Sequence, residues 1–333
     1  MDVKKLFIEL TKQLIPYKSE HLVLPFLPEG IETDEVGNYR ITIGETRTMF
    51  TCHLDSYTEK LVNVTHKILT DSKGLKIGTT GKTPLGADCK AGVTIMINMI
   101  NHNVPGCYYF FIGEESITGG GGCKGSRAIF KANSDYFKQF DRCIAFDRHG
   151  YDSIISSQRG EVCCSDAFVK QLSAYFSANN LQYRKDPTGK YTDSAVFMYI
   201  IPEVTNISTG GFYEHTNKEF QNLTFLEKLC NATIKIPWEE LPVVRIPIKE
   251  KPKKTQKVNV EKNFKGKRTY KGSGGFLSDL ENTLDTLIFG EEYVRRKRME
   301  EKTDNEKFDS YQLKEKNRGK RPRIKKYNNF NRR

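Results

Sequence analysis

The sequence lacks several features that would place a chain of 333 residues in a specialised class. It has no apolar run near the roughly 20 residues that a membrane-spanning helix needs, and its N-terminus lacks the apolar stretch of a signal peptide. None of its eight cysteines belongs to a C-x-x-C pair, which argues against a structural zinc finger or a disulfide framework. No internal repeat is visible. These absences predict a cytoplasmic globular protein with reduced cysteines.

The positive charge is concentrated in the C-terminal part of the chain. Residues 245–333 hold 27 Lys and Arg against 13 Asp and Glu, whereas residues 1–244 hold 26 against 28. We therefore expect a globular domain over 1–244 and a basic, partly disordered tail over 245–333, with one amphipathic helix near 276–298. Basic side chains interleaved with Tyr327 and Phe330 suggest a polyanion or an acidic partner for this tail, and an idle, solvated extension is the alternative.

Alternating helical and strand-like segments fill residues 1–244. An apolar face over residues 3–15 predicts a helix that stops before Pro16. "RTMFT", "CYYFFIG", "RCIAF" and "VTNIS" read as buried strands, and "AGVTIMINMI" and "SDAFVKQLSAYFSANN" read as helices. "KILTDSKGLKIG" predicts a hairpin. This order favours an α/β fold with a mixed, largely parallel sheet that is covered by helices on both faces.

Ionisable residues stand where these predicted strands end, or in the turns beside them. In a parallel sheet the carboxyl ends of the strands meet at one edge, where reactive groups collect. The candidates are two histidines and five carboxylates, namely His53, Asp55, Asp88, Glu114, Glu115, Asp147 and His215. Nitrogen and oxygen donors without a thiolate suit zinc, and would also suit manganese or cobalt.

Five short motifs carry a resemblance to a known group of enzymes. "HLD", "GADCKAG", "GEES", "AFDRHG" and "EHTNKE" occur in this order over about residues 1–235. The order resembles that of the co-catalytic dinuclear zinc exopeptidases, the relatives of peptidase T, carboxypeptidase G and the zinc aminopeptidases. Only 34 residues separate His53 from Asp88, and 67 separate Asp147 from His215. Neither gap has room for the additional lid domain of many relatives, so a lidless zinc exopeptidase-like fold is expected.

The resemblance implies a role for each candidate residue. Two divalent metal ions, zinc by preference, would be bridged by Asp88. His53 and Asp147 would complete one metal, and Glu115 and His215 would complete the other. Asp55 would hold the second ring nitrogen of the His53 imidazole. Glu114 would act as the general base and then as the general acid.

Two positions depart from this pattern or extend it. Cys89 stands where peptidase T-like relatives carry a second aspartate, and we interpret it as a packing residue or one that supports the ligands. Direct ligation of a metal by Cys89 is the alternative. "TDS" at 192–194 resembles a segment of the relatives that lines the substrate pocket, although Thr192 would serve equally well as a helix cap.

Three functions remain open at this stage. The first is a metal-dependent exopeptidase for short peptides, of the aminopeptidase or di- or tripeptidase type. The second is an amidohydrolase that removes acyl groups from amino acids or other small amides with the same metal centre. The third is an inactive peptidase-like domain whose basic tail binds nucleic acid, and the intact set of ligands argues against it.

Overall fold

The structure, a computed structural model, describes residues 2–116 and 121–247. The amphipathic helix predicted near 276–298, and all but the first residues of the basic tail, lie outside this range. The domain boundary at 244 and the tail's partner therefore stay predictions.

Five α-helices lie in the described residues, and none of them is long and apolar enough to cross a membrane. They are α1 (Val3–Leu10), α2 (Ala87–Asn101), α3 (Lys124–Ala132), α4 (Asp166–Ala178) and α5 (Leu223–Thr233). Short 3₁₀ helices cover Glu20–Phe26, Ser134–Gln139, Asp193–Phe197 and Trp238–Glu240. The strands are β1 (Gln13–Leu14), β2 (Glu32–Thr33), β3 (Tyr39–Ile43), β4 (Thr48–His53), β5 (Val62–Asn63), β6 (His66–Asp71), β7 (Gly74–Thr79), β8 (Gly106–Phe111), β9 (Arg142–Arg148), β10 (Ser153–Ile155), β11 (Ser157–Gln158), β12 (Glu161–Val162), β13 (Arg184–Asp186), β14 (Glu203–Ser208), β15 (Gly211–Phe212) and β16 (Phe220–Asn222).

The main sheet has eight strands in the order β13-β10-β14-β9-β4-β8-β3-β2. Its four central strands, β14, β9, β4 and β8, run parallel to one another, and antiparallel neighbours flank them on both sides. The four strands predicted from apolar runs are these central strands. The predicted mixed, largely parallel sheet is therefore confirmed.

Side chains of the central strands alternate between two apolar layers. Phe50 on β4 and Phe146 on β9 face the layer formed with α1, α2 and α5, where Phe50 packs edge-on against Trp238. Met49 and Phe111 face the opposite layer, which contains Phe197. Because both faces of the sheet are covered, apolar side chains occur on both faces of the central strands.

A second, antiparallel sheet flanks the main one in the order β15-β16-β7-β6. Its β6 and β7 form the hairpin predicted from "KILTDSKGLKIG", and β7 pairs with β16. Between His53 and Asp88 the described chain contains only β5 and this hairpin, with no inserted domain.

The first helix is shorter than its apolar pattern indicates. The prediction was wrong for residues 11–15, because α1 ends at Leu10 and the next residues form β1, which pairs with β5. The Thr11 hydroxyl donates to the Phe7 carbonyl at 2.9 Å and occupies one of the last helical acceptors. Pairing with a strand some 50 residues away overrides the local helical period.

Gly92 allows a close approach between α2 and β9. A Cβ atom on Gly92 would lie 2.2 Å from the Phe146 carbonyl oxygen and 2.7 Å from Cys89 Sγ. Only glycine lets the helix come this near to the strand. The N-terminal turn of α2, which contains Asp88, is thereby held beside the carboxyl end of β9.

We predict that Gly92→Ala lowers the free energy of unfolding by about 1–3 kcal/mol. Overpacking costs typically about 1–3 kcal/mol or more, and this exceeds the roughly 0.5–1 kcal/mol by which alanine favours a helix over glycine. Urea unfolding measures the change. Gly78→Ala on β7, where the nearest atom to an added Cβ is 3.3 Å away, is the milder control. Equal stability of Gly92→Ala and wild type would refute this packing argument.

Candidate metal centre

The predicted site residues meet at the carboxyl edge of the central strands. His53 is the last residue of β4, Asp147 is the penultimate residue of β9, and Glu114 and Glu115 follow closely after β8. Since these strands are parallel neighbours, their ends are adjacent in space. Residues almost 100 positions apart in the chain are thus brought into one cluster.

Asp88 and His215 reach the same edge from outside the main sheet. Asp88 lies in the first turn of α2, where its backbone is not yet helical. His215 lies in the loop between β15 and β16 and has a φ of +63°, in the left-handed region that residues other than glycine rarely adopt. The second sheet connects the two positions, because β16 follows the His215 loop, β7 precedes the turn that contains Asp88, and these two strands pair.

Asp88 is shared by two groups of side chains. His53 Nε2 lies 3.0 Å from Asp88 Oδ1 and 3.3 Å from Asp147 Oδ1. On the other side, His215 Nε2 lies 3.3 Å from Asp88 Oδ2 and contacts Glu115 Oε1 directly. Within each group the candidate ligand atoms all lie within 4.8 Å of one another. Asp88 therefore turns one oxygen towards each histidine.

Asp55 is buried and organises the backbone of the neighbouring loop. Its two carboxylate oxygens accept the backbone N–H groups of Glu114 and Glu115, each at 3.0 Å. The ring nitrogen Nδ1 of His53 lies 3.1 Å from the main-chain oxygen of Asp55 and 3.4 Å from its carboxylate. Both the main-chain carbonyl and the carboxylate of Asp55 thus orient the His53 ring. The same carboxylate also holds the Glu114–Glu115 turn.

Glu114 lies in the same cluster but outside the two groups that share Asp88. Its Oε1 accepts a hydrogen bond from the Cys123 thiol at 3.4 Å, and its carbonyl accepts the Cys123 N–H. Burial raises the pKa of the Glu114 carboxyl well above its usual range, and the charge of Glu115 raises it further. A carboxyl group with this tendency to hold a proton is suited to acid and base catalysis.

Negative charge dominates the electrostatics of the cluster. Burial lowers the pKa of His215, but hydrogen bonds to Asp88 and Glu115 outweigh it and bring the value to about 11. Burial likewise opposes a charged His53, yet its hydrogen bonds to Asp147, Asp55 and Asp88 raise the pKa well above its usual range. The surrounding carboxylates thus create a strong attraction for positive charge.

The donor set fits two divalent cations. Burying several carboxylates together is costly unless cations offset their charge. Imidazole nitrogen and carboxylate oxygen are the donors that zinc accepts in catalytic sites. A carboxylate that presents one oxygen to each of two histidines, as Asp88 does, is arranged to bridge two ions.

Cys89 lies beside the His53 group, and its thiol is engaged with the backbone of β9. Its thiol donates to the Phe146 carbonyl at 3.0 Å and is buried against Gly92 and Cys52. Burial raises the pKa of this thiol well above its usual range, which disfavours the thiolate that would bind a metal. Its Sγ still lies within reach of the group around His53, so ligation is not sterically blocked.

Buried groups that we did not single out from the sequence support the Asp88 and Asp55 turns. Glu219 accepts the backbone N–H groups of Leu85 at 2.8 Å, Gly86 at 2.9 Å and Asp88 at 3.2 Å. Lys90, fully buried, donates to the Leu54 carbonyl. "EHTNKE" and "GADCKAG" contain these residues, but sequence spacing gives no sign of which backbone groups they hold.

A cleft opens beside the two groups and is lined by further polar side chains. Arg148 pairs with Asp186 at 3.4 Å, and His149 pairs with Glu214 at 2.7 Å. His149 thus lines the cleft without joining either group around Asp88. Thr192 also lines the cleft and donates to Asp147 Oδ2 at 2.6 Å rather than capping the helix that follows it.

Comparison with known proteins gives a likeness in structure and none in sequence. Neither models of protein families nor curated proteins match the sequence. Two of the solved structures that resemble the fold are peptidases of known name. The aminopeptidase PepT of Bacillus cereus ATCC 10987 shares 15% identity with a TM-score of 0.56, and a tripeptidase of Staphylococcus aureus subsp. aureus Mu50 shares 15% identity with a TM-score of 0.57. Each match covers 70% of this chain and 96% of the other.

These two likenesses establish the fold of the chain. It is the fold of this aminopeptidase and this tripeptidase, and it agrees with the exopeptidase-like fold expected from the order of the five motifs.

A buried carboxyl group beside the site makes stability depend on pH. Glu20, 3% exposed, accepts the Gly113 N–H at 3.0 Å, next to Glu114. Burial raises its pKa from 4.5 to about 7. Between these values the folded protein keeps a proton that the unfolded chain releases. The contribution of Glu20 to stability is therefore complete below pH 4.5 and is lost as the pH rises to about 7.

We predict that Glu20→Gln removes the part of the pH dependence of stability that comes from ionisation of Glu20. Relative to wild type, its free energy of unfolding should rise by up to about 3 kcal/mol as the pH increases from about 4.5 to about 8. Denaturant unfolding at a series of pH values measures the difference. Glu29→Gln, an exposed position nearby, is the control. A difference between Glu20→Gln and wild type that does not change with pH would show that Glu20 does not titrate in this way.

Proposed function

We propose that this protein is a metal-dependent exopeptidase that hydrolyses short peptides. The observation that carries the proposal is the pair of ligand groups that share Asp88, with the Glu114 carboxyl beside them. The fold of an aminopeptidase and a tripeptidase supports it at the level of architecture.

The two ligand groups assign a metal ion to each histidine. His53, Asp88 and Asp147 would hold one divalent ion, and Asp88, Glu115 and His215 would hold the other. Zinc suits these donors best, and manganese or cobalt would also fit. When bound, such ions polarise the scissile carbonyl and make a water molecule more acidic.

Glu114 would move the proton that the reaction requires. Its carboxylate takes a proton from the attacking water and returns it to the nitrogen of the leaving amine, so the group ends in its original state. During these transfers the Cys123 thiol holds the Glu114 side chain through a hydrogen bond. The Asp55 carboxylate holds the Glu114 backbone by accepting its N–H group. Asp55 also fixes the ring of His53 through its carbonyl and its carboxylate.

Peptides and acylated amino acids place the same amide bond at this centre. The cleft is lined by charged groups that could bind a charged chain terminus, namely Lys190, Arg148 in its pair with Asp186, and Glu214 in its pair with His149. A peptide presents a free amino and a free carboxyl terminus, whereas an N-acylated amino acid presents only its carboxylate. Release of free amino acids from di- and tripeptides, measured against release of acetate from acetylated amino acids, separates the two activities.

We predict that Glu114→Gln keeps its fold and its metal content but loses peptidase turnover. The amide preserves the shape of the side chain and cannot accept the proton, so kcat should fall by about 100-fold or more. The assay is release of amino acids from a tripeptide by zinc-loaded protein, and metal analysis of the same samples is the control. Turnover close to that of wild type would remove Glu114 from the mechanism.

A further inference from the structure

The two oxygens of the Asp147 carboxylate have different surroundings. Oδ1 faces the ligand group and lies 3.3 Å from His53 Nε2. Oδ2 accepts the hydroxyl proton of Thr192 at 2.6 Å. The backbone N–H of Asp147 donates to Asn206 Oδ1 at 2.9 Å, which fixes the main chain beneath the carboxylate. Only Oδ1 is therefore directed towards the shared site.

Thr192 is buried, and its neighbours in the chain are held by contacts with other elements. It is 6% exposed and directly precedes the 3₁₀ helix Asp193–Phe197, and it makes no capping bond to that helix. The next residue, Asp193, accepts a hydrogen bond from the Ser126 hydroxyl at the start of α3. Phe197, at the end of the short helix, is fully buried between Phe111 and Phe137. The hydroxyl is thus placed by packing on both sides.

A carboxylate with one oxygen already bonded is restricted in how it binds a cation. If Oδ2 were free, the side chain could rotate or bind through both oxygens. The Thr192 hydroxyl removes these options before any cation arrives, so less conformational freedom is lost on binding.

We propose that Thr192 is a positioning residue that makes Asp147 bind its metal ion through Oδ1 alone and thereby strengthens binding on the His53 side. This inference rests on the metal centre assigned under the proposed function. It does not depend on which amide the enzyme hydrolyses, because the effect is on metal affinity.

The test compares three variants of the full chain by competition for zinc with a chromophoric chelator. Thr192→Val keeps the shape of the side chain and removes the hydroxyl, whereas Thr192→Ser keeps the hydroxyl. Thr205→Val is the matched control, since Thr205 is also buried and donates to a carbonyl, that of Ile155, away from the ligands.

The expected result is specific to one of the two ions. Thr192→Val should bind one zinc equivalent about 10–100-fold more weakly and leave the other nearly unchanged. Thr192→Ser and Thr205→Val should bind both equivalents with affinities close to wild type. Circular dichroism with chelator present checks that each variant is folded.

Several outcomes would overturn the proposal. Unchanged zinc affinity in Thr192→Val, with or without lower thermal stability, would mean that the hydroxyl serves only packing. Weaker zinc binding in Thr192→Ser together with unchanged binding in Thr192→Val would mean that the methyl group matters and the hydroxyl does not. A wild-type protein that binds no zinc would overturn the metal centre and this role together. A wild-type protein that binds two zinc ions but cleaves no peptide would refute the peptidase function only, and the role of Thr192 would still be decided by the variants.

Discussion

The crowding of carboxylates at the carboxyl edge of the central strands is the constraint on which the rest of this structure depends. Asp88, Glu115 and Asp147 converge on two imidazoles within a largely buried cluster, and Glu114 lies beside them. Like charges at such distances repel, and burial adds to the cost of each. The fold tolerates this arrangement because the parallel strands β4, β8 and β9 fix the positions of His53, Glu115 and Asp147, and the turns that carry Asp88 and His215 complete the cluster. Bound cations would offset the repulsion between these carboxylates, and this would favour cation binding.

Buried carboxylates outside the ligand set hold the loops that carry it. Asp55 accepts two backbone N–H groups of the Glu114–Glu115 turn, and Glu219 accepts three from the turn that contains Asp88. Glu20 accepts the N–H of Gly113 in the first of these turns. A backbone N–H group paired with a buried carboxylate makes a strong, directional bond. The site is therefore built from two layers of acidic groups, one that faces the cluster and one that faces the backbone.

The sequence predicted the sheet and the cluster because both follow from local patterns. Buried strands appear as apolar runs, and parallel neighbours bring their ends to one edge, so the convergence of His53, Glu115 and Asp147 was foreseeable. Contacts that depend on distant parts of the chain could not be predicted in this way. The end of α1 at Leu10 depends on pairing between β1 and β5, and the bond from Thr192 to Asp147 depends on the packing of a short helix. The spacing of residues along the chain predicts neither the pairing of β1 with β5 nor the hydrogen bond from Thr192 to Asp147.

The most direct test of the central claim is a crystal structure of the protein grown with zinc, with anomalous scattering recorded at the zinc edge. The account predicts two anomalous peaks about 3.5–4 Å apart, with Asp88 between them, His53 and Asp147 at one peak, and Glu115 and His215 at the other. A single peak, a peak bound through the Cys89 sulfur, or no peak at this edge of the sheet would contradict it.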